Sequence, residues 1–194
     1  MKRILNLLTL ITFISAAELE IGSTMPKMDH ALKDISGRAM TLSDVKGDAG
    51  TLVVFSCHTC PWVVRWEDRY VSLADEYIPR GIGMIAVNSN AARFSGDDSI
   101  EEMISHAREN NYNFPYAQDP GSELAMAFGA TKTPHIYLFD NSDKLVYRGA
   151  IDDNAKDALK VDVPYLANAM NAMLSGGKID PVSTKALGCS IKYK

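Results

Sequence analysis

Two thiols set two residues apart, Cys57 and Cys60 in the run Cys57-His58-Thr59-Cys60-Pro61, are the residues of this chain best equipped for chemistry. Such a pair can open and close a disulfide, or it can supply two of the four ligands of a structural zinc. The zinc alternative needs a second pair of ligands. One further cysteine, Cys189, is present, and His30, His106 and His135 form no second Cys-x-x-Cys and no His-x-x-x-His. The pair therefore reads as a dithiol–disulfide couple, with no metal and no cofactor expected.

The neighbouring segments show how the pair must be held. Thr51-Leu52-Val53-Val54-Phe55 is β-branched and aromatic, the composition of a short buried strand. From Trp62 to about Tyr77, Val63, Trp66, Tyr70, Leu73, Ala74 and Tyr77 recur at three- and four-residue steps, with Arg65, Glu67, Asp68 and Arg69 between them. That periodicity predicts an amphipathic helix. The thiols thus lie where a strand hands over to a helix N-terminus, whose free N–H groups and positive dipole end favour an anion. Cys57 is the expected site of that thiolate, and only a thiolate attacks a disulfide.

A second constellation lies further on. Thr131-Lys132-Thr133-Pro134 precedes the apolar run His135-Ile136-Tyr137-Leu138-Phe139-Asp140, a turn at Asn141-Ser142-Asp143-Lys144, and Leu145-Val146-Tyr147-Arg148-Gly149, the pattern of a hairpin. A proline opening a strand cannot donate to the ladder and needs a backbone reason to stand there. With Cys57/Cys60 and Thr133-Pro134 together, the chain resembles the thioredoxin superfamily. The resemblance implies that Pro134 follows a cis peptide bond and packs on the dithiol. It also implies that Cys57 attacks and Cys60 resolves, and that Thr133 and Pro134 shape the substrate groove.

The likeness runs through nearly all the chain after residue 20 and is strongest to the redoxin branch, the alkyl hydroperoxide reductase/thiol-specific antioxidant proteins. Met28 to Ser43 resembles that branch's N-terminal hairpin, with a turn at Asp34-Ile35-Ser36-Gly37 and a strand at Met40-Thr41-Leu42. Gly83 to Asn88 reads as the next parallel strand. Ser99 to Glu109 reads as a helix with Ser99 and Glu102 as its capping box, and Ser122 to Phe128 as a short helix. Pro164 to Ser175 reads as the last helix, with Tyr165, Ala169 and Met173 on its core face; Asp152 to Val163 reads as a polar loop whose Asp152, Asp153 and Asp157 face solvent. The predicted class is α/β: a thioredoxin-like fold, a central mixed sheet with helices on both faces and an N-terminal β-hairpin. The ending Gly188-Cys189-Ser190-Ile191-Lys192 resembles the peroxiredoxin-like thioredoxin group that carries Cys-x-x-Cys.

Departures from the family pattern narrow the activity. A peroxiredoxin surrounds its peroxidatic cysteine with Pro, Thr or Ser, and Arg. If Cys60 takes that place, Val53 stands at the Pro position and Cys57 at the Thr position, and Lys132-Thr133-Pro134 supplies no Arg. Nothing in the sequence then steadies the charge on the departing peroxide oxygen. The positions of the thioredoxin Trp and buried Asp hold Ser56 and Thr51, so no proton acceptor is evident. The reading is a thiol–disulfide oxidoreductase acting on protein thiols and disulfides and exchanging electrons with a second redox protein. A thiol peroxidase using Cys60 is the alternative. A further alternative is a Cu(I) handler joining Cys57, Cys60 and His135 as soft ligands. His58 is a candidate for tuning the couple, since stabilising the thiolate makes a dithiol more oxidising.

Cys189 has two readings, a third redox thiol or a small buried residue that pins the tail 178–194. The sequence favours the structural role, because about 130 residues separate it from the pair and nothing local joins them.

Lys2-Arg3, the apolar run Ile4 to Ile14 and the small residues Ser15-Ala16-Ala17 have the layout of a signal peptide over 1–17. The run is too short for a membrane span, and contact with the membrane surface is expected only if this segment is retained. Cleavage leaves one domain, 18–194, in the periplasm or secreted, and moves the net charge from −4 to −6. An acidic chain without a basic cluster excludes nucleic acid as a partner. Three cysteines do not make a disulfide scaffold.

Overall fold

The computed structural model describes residues 17–194; the predicted signal segment lies outside the described residues except for its last residue. A seven-stranded mixed sheet runs through the domain. Its strands are β1 (Leu32–Asp34), β2 (Ala39–Met40), β3 (Gly50–Phe55), β4 (Ile82–Asn88), β5 (Tyr116–Gln118), β7 (His135–Asp140) and β8 (Leu145–Gly149), in the order β2-β1-β5-β4-β3-β7-β8. β3 is parallel to β4 and antiparallel to β7; β4 is parallel to β5. The helices are α1 (Leu42–Val45), α2 (Pro61–Tyr77), α3 (Ile100–Glu109), α4 (Glu123–Phe128) and α5 (Tyr165–Ser175). The remaining strands, β6 (Lys132–Thr133) and β9 (Cys189–Ser190), pair with each other in a separate two-stranded ribbon. Among the described residues no helix is long and apolar enough to cross a membrane.

Every residue of β3 is buried, because the sheet is covered on both faces. Alternation divides its side chains. Leu52 and Val54, with Met84 and Ala86 of β4 and Ile136 and Leu138 of β7, join the cluster of Trp66, Tyr70, Met103, Leu166 and Met170. Val53 and Phe55, with Ile85, Val87, Tyr137 and Phe139, join Leu124, Phe128 and Leu42 on the other face. The period of two thus builds two cores back to back.

Some local expectations shift. The expected strand at Met40-Thr41-Leu42 stops at Met40, because Thr41 caps α1: its hydroxyl accepts from Asp44 N, and the Asp44 carboxylate accepts from Thr41 N at 2.8 Å. Ser99 caps α3 by accepting from Glu102 N at 3.3 Å, only one half of the expected box. The buried face of α5 is Leu166, Ala169 and Met170, with Tyr165 and Met173 half-buried at its margins. Asp152 does not face solvent. It is buried as acceptor for Trp66 Nε1 at 2.7 Å and Arg69 Nε at 3.1 Å, partners from α2 that the local sequence could not announce.

Candidate active site

β3 delivers the dithiol. Ser56 N extends the β3–β4 ladder by donating to Val87 O at 2.9 Å, and the Ser56 hydroxyl meets Tyr70 OH at 3.1 Å, which fixes the exit from the strand. Cys57, His58 and Thr59 bend, Cys60 is the N-cap of α2, and Pro61 occupies the first turn, where its missing N–H costs nothing. Both sulfurs are buried, each 2% exposed.

One residue from a distant part of the chain touches both. Thr133, joined to Pro134 by a cis peptide bond, brings its hydroxyl within 3.3 Å of Cys57 Sγ, and its carbonyl accepts from Cys60 Sγ at 3.1 Å. Thr59 hydroxyl also lies 3.8 Å from Cys57 Sγ and 3.4 Å from both oxygens of Asp98. Asp98 is fully buried and accepts from Asn88 Nδ2 at 3.0 Å and Asn90 Nδ2 at 3.1 Å. Neutral amide donors thus keep a carboxylate solvated by protein next to the dithiol.

The two thiols shift each other's acidity in opposite directions. The Cys57 thiol serves the Cys60 sulfur and lowers Cys60 to about 4, with Cys189 and the Val63 N–H helping against burial. The same interaction pushes Cys57 well up, as do burial and the Asp98 charge, while the Thr133 hydroxyl opposes them. Of the two, Cys60 is the sulfur held lower, whereas the sequence reading favours a thiolate at Cys57. Cys60 is also the N-cap of α2, where the positive end of the helix dipole favours an anion.

His58 turns to the loop after β4. Its Nε2 lies 2.6 Å from Asp97 O, its Nδ1 3.9 Å from Asp98 Oδ1, and its ring 5.3 Å from that of His106. Among the described residues it forms no hydrogen bond to either sulfur, so any influence on the couple runs through Asp98. His135 is not with the dithiol. Its ring lies 4.6 Å from Tyr137, on the sheet face opposite α2, where burial and the nearby Arg148 charge hold its imidazole at about 4. The three Cu(I) ligands posited from sequence are thus split across the sheet, and no group of three or more His, Cys, Asp or Glu among the described residues could hold a metal.

Cys189 is displaced in the opposite sense. The expected distance from the pair is not found: β9 pairs with β6 so that Cys189 stands opposite Thr133, the residue whose carbonyl bonds Cys60. A cavity of about 110 Å³ is lined by Cys57, Cys60, Cys189, Thr133, Asn90 and Arg93. Arg93 Nη1 donates to Thr59 Oγ1 at 3.4 Å, so a guanidinium does reach the site, from the 91–93 turn and not from the strand where a peroxiredoxin carries it.

Asp98, Asn88, Asn90 and Arg93 escape a reading of the sequence. A signal exists for part of this set: Asn88-Ser89-Asn90 follows the carboxyl end of a parallel strand beside β3, where α/β sheets gather their functional groups. Asp98 has none, being one acid among Asp97, Asp98 and Glu101 before a helix.

Sheet order, with the dithiol at the end of β3 and the cis-proline loop beside it, gives the chain a thioredoxin-like fold, shared with solved thioredoxin-like structures. The chain belongs to the AhpC/TSA family, whose model matches residues 21–148. It is 37% identical to an uncharacterized conserved protein from Geobacillus kaustophilus (TM-score 0.83), covering 90% of this chain and 93% of that one. A hypothetical protein from Sinorhizobium meliloti 1021 is 29% identical with a TM-score of 0.82, over 92% and 97% of the two chains. Thiol-disulfide oxidoreductase ResA of Bacillus cereus is 21% identical over 150 residues, 76% of this chain and 79% of ResA.

Proposed function

We propose that the chain is an exported thiol–disulfide oxidoreductase that works through Cys57 and Cys60. The observation that carries this reading is Thr133, which meets both sulfurs at 3.3 and 3.1 Å and holds them as one unit beside a buried carboxylate. The similarity to a thiol-disulfide oxidoreductase supports the same chemistry here.

In the reducing direction the Cys60 thiolate attacks one sulfur of a disulfide, and the other sulfur leaves as a thiolate and is protonated. Cys57 then attacks the Cys60 sulfur, giving up its proton through the Thr59 hydroxyl toward Asp98. The Cys57–Cys60 disulfide closes and the reduced substrate departs. The substrate has gained two electrons and the pair has lost two, which a dithiol redox protein returns by the reverse exchange. Run backwards, the same steps oxidise substrate thiols. The reading places this reaction in the periplasm or outside the cell, supported by the signal-like layout of residues 1–17.

One observation favours a second reading, a thiol peroxidase. Arg93 lines the cavity beside Cys60, the sulfur of the pair held lower, so a peroxide bound there would meet a nucleophile and a cation. Cys60 would take the terminal oxygen as a sulfenic acid, and Cys57 would close the disulfide with loss of water. Insulin reduction by a dithiol donor, run beside hydrogen peroxide removal, separates the two. We expect insulin to be the better substrate and both activities to vanish in Cys60→Ser. Peroxide turnover that outpaces insulin and collapses in Arg93→Ala would overturn the oxidoreductase reading.

A further inference from the structure

The oxidoreductase reading leaves one problem of access. Cys57 and Cys60 are each 2% exposed, whereas an external protein disulfide must bring its own sulfur into line with the attacking one. The tail lines the same cavity as both of them, and the tail itself carries a thiol. Cys189 is half-buried where the other two cysteines are buried, and it lies outside the segment matched by the family model.

The tail is held in one register by many independent contacts. Gly188 passes so close to Thr133 that a Cβ there would collide with the Thr133 carbonyl, 2.7 Å from its carbon. Any side chain at 188 would force the two strands apart. Beyond Ser190, Ile191 is buried and donates its N–H to Thr131 O at 3.1 Å. Lys192 N donates to Asn90 Oδ1 at 2.9 Å, Ala92 N donates to Lys192 O at 3.1 Å, and the Tyr193 hydroxyl reaches Ala130 O. The residue paired with Cys189 is the residue that touches both active sulfurs. Asn90, which ties down Lys192, also binds Asp98 behind the dithiol. A strand whose only task was to close the edge would not need a cysteine at the position paired with Thr133.

We propose that Cys189 is a third redox residue, a relay thiol through which the buried Cys57–Cys60 couple exchanges electrons with its protein partner; the proposal rests on the oxidoreductase reading. The three cysteines line one cavity, and Thr133, paired with Cys189, touches both sulfurs of the couple. Cys189, as thiolate, attacks the partner disulfide; that S–S bond breaks, one partner sulfur leaves as a thiolate and the other is joined to Cys189. The Cys60 thiolate attacks the Cys189 sulfur, the second partner thiolate leaves, and a Cys60–Cys189 disulfide forms. Cys57 attacks Cys60, Cys189 is released as a thiolate, and the Cys57–Cys60 disulfide closes. Two electrons have passed to the partner, two have left the pair, and Cys189 ends in the state in which it began. Each exchange passes between cysteines that line the same cavity.

The test uses the full mature protein in two variants. In Cys57→Ser the relay has no inner thiol, so oxidation with diamide should trap an intramolecular Cys60–Cys189 disulfide, seen as a cross-linked peptide pair and a mass loss of two hydrogens. In Cys189→Ser, insulin reduction should largely be lost, while diamide still oxidises Cys57–Cys60 as readily as in the parent. A Cys57→Ser protein that leaves Cys60 and Cys189 unpaired would overturn the relay, and so would Cys189→Ser reducing insulin at the parental rate. If the parent itself fails to reduce insulin, the oxidoreductase reading falls, and the trapped Cys60–Cys189 disulfide still decides the relay independently.

Discussion

Replacing Asp98 by Asn should make Cys57 a stronger acid, and the size of the effect follows from the geometry. The Thr59 hydroxyl stands 3.4 Å from the carboxylate oxygens and 3.8 Å from Cys57 Sγ, which keeps charge and sulfur within about 7 Å of each other. At an effective dielectric of about 20, two like charges at that distance repel by about 2 kcal/mol, or between one and two pK units. The sign is fixed: the carboxylate opposes a second anion, so its loss lowers the Cys57 pKa. The measurement is the thiolate absorbance against pH in a Cys60→Ser, Cys189→Ser background, where Cys57 is the sole thiol. Because Asp98 is fully buried, the shift should persist in high salt. Asn presents an amide to the Asn88 and Asn90 donors, so a stability loss of about 1–3 kcal/mol should accompany it, read by urea unfolding. A Cys57 titration that stays put or moves upward in a folded Asp98→Asn protein would refute the placement of Asp98 as the charge that governs this thiol.

Other consequences are equally direct. Trp66→Phe removes the indole donor to buried Asp152 at 2.7 Å and leaves that carboxylate to Arg69 and the Asn154 backbone; urea unfolding should show a loss of about 1–3 kcal/mol. His135 has its pKa lowered to about 4, so it favours the neutral ring in the folded state. Its contribution to stability is complete above the unfolded value near 6.5 and is lost as pH falls from there through 4. The near-isosteric His135→Phe should remove that segment of the acid-unfolding curve, of the order of 3 kcal/mol, and unchanged acid sensitivity would count against it. Gly188→Ala cannot keep the tail against Thr133, so Cys189 should become alkylated faster by iodoacetamide while the parent remains slow.

Much of this protein is legible in its residues. The all-apolar run at 51–55, the three- and four-residue period after Trp62 and the hairpin punctuation at 141–144 are local signals, and the elements they predict are β3, α2 and the β7–β8 hairpin. Chemistry is legible too, because a Cys-x-x-Cys pair and a strand-opening proline are types and spacings that survive without coordinates. Tertiary structure decides what reaches the dithiol. Thr133 lies 76 residues from Cys57 and 73 from Cys60, and Asp98 lies 39 from Thr59. Their approach depends on the strand order around β3, which no local pattern encodes. The misplacements of His135 and Cys189 share this cause. Adjacency to Pro134 suggests that His135 is a neighbour of the dithiol, but a strand sends successive side chains to opposite faces, and His135 falls with Tyr137 on the face away from α2. Sequence separation suggests that Cys189 is remote, yet a two-residue β pairing sets it opposite Thr133. Composition and periodicity fix what each segment becomes; strand order and pairing fix which distant residues, Thr133, Asp98 and Cys189 among them, are brought to the dithiol.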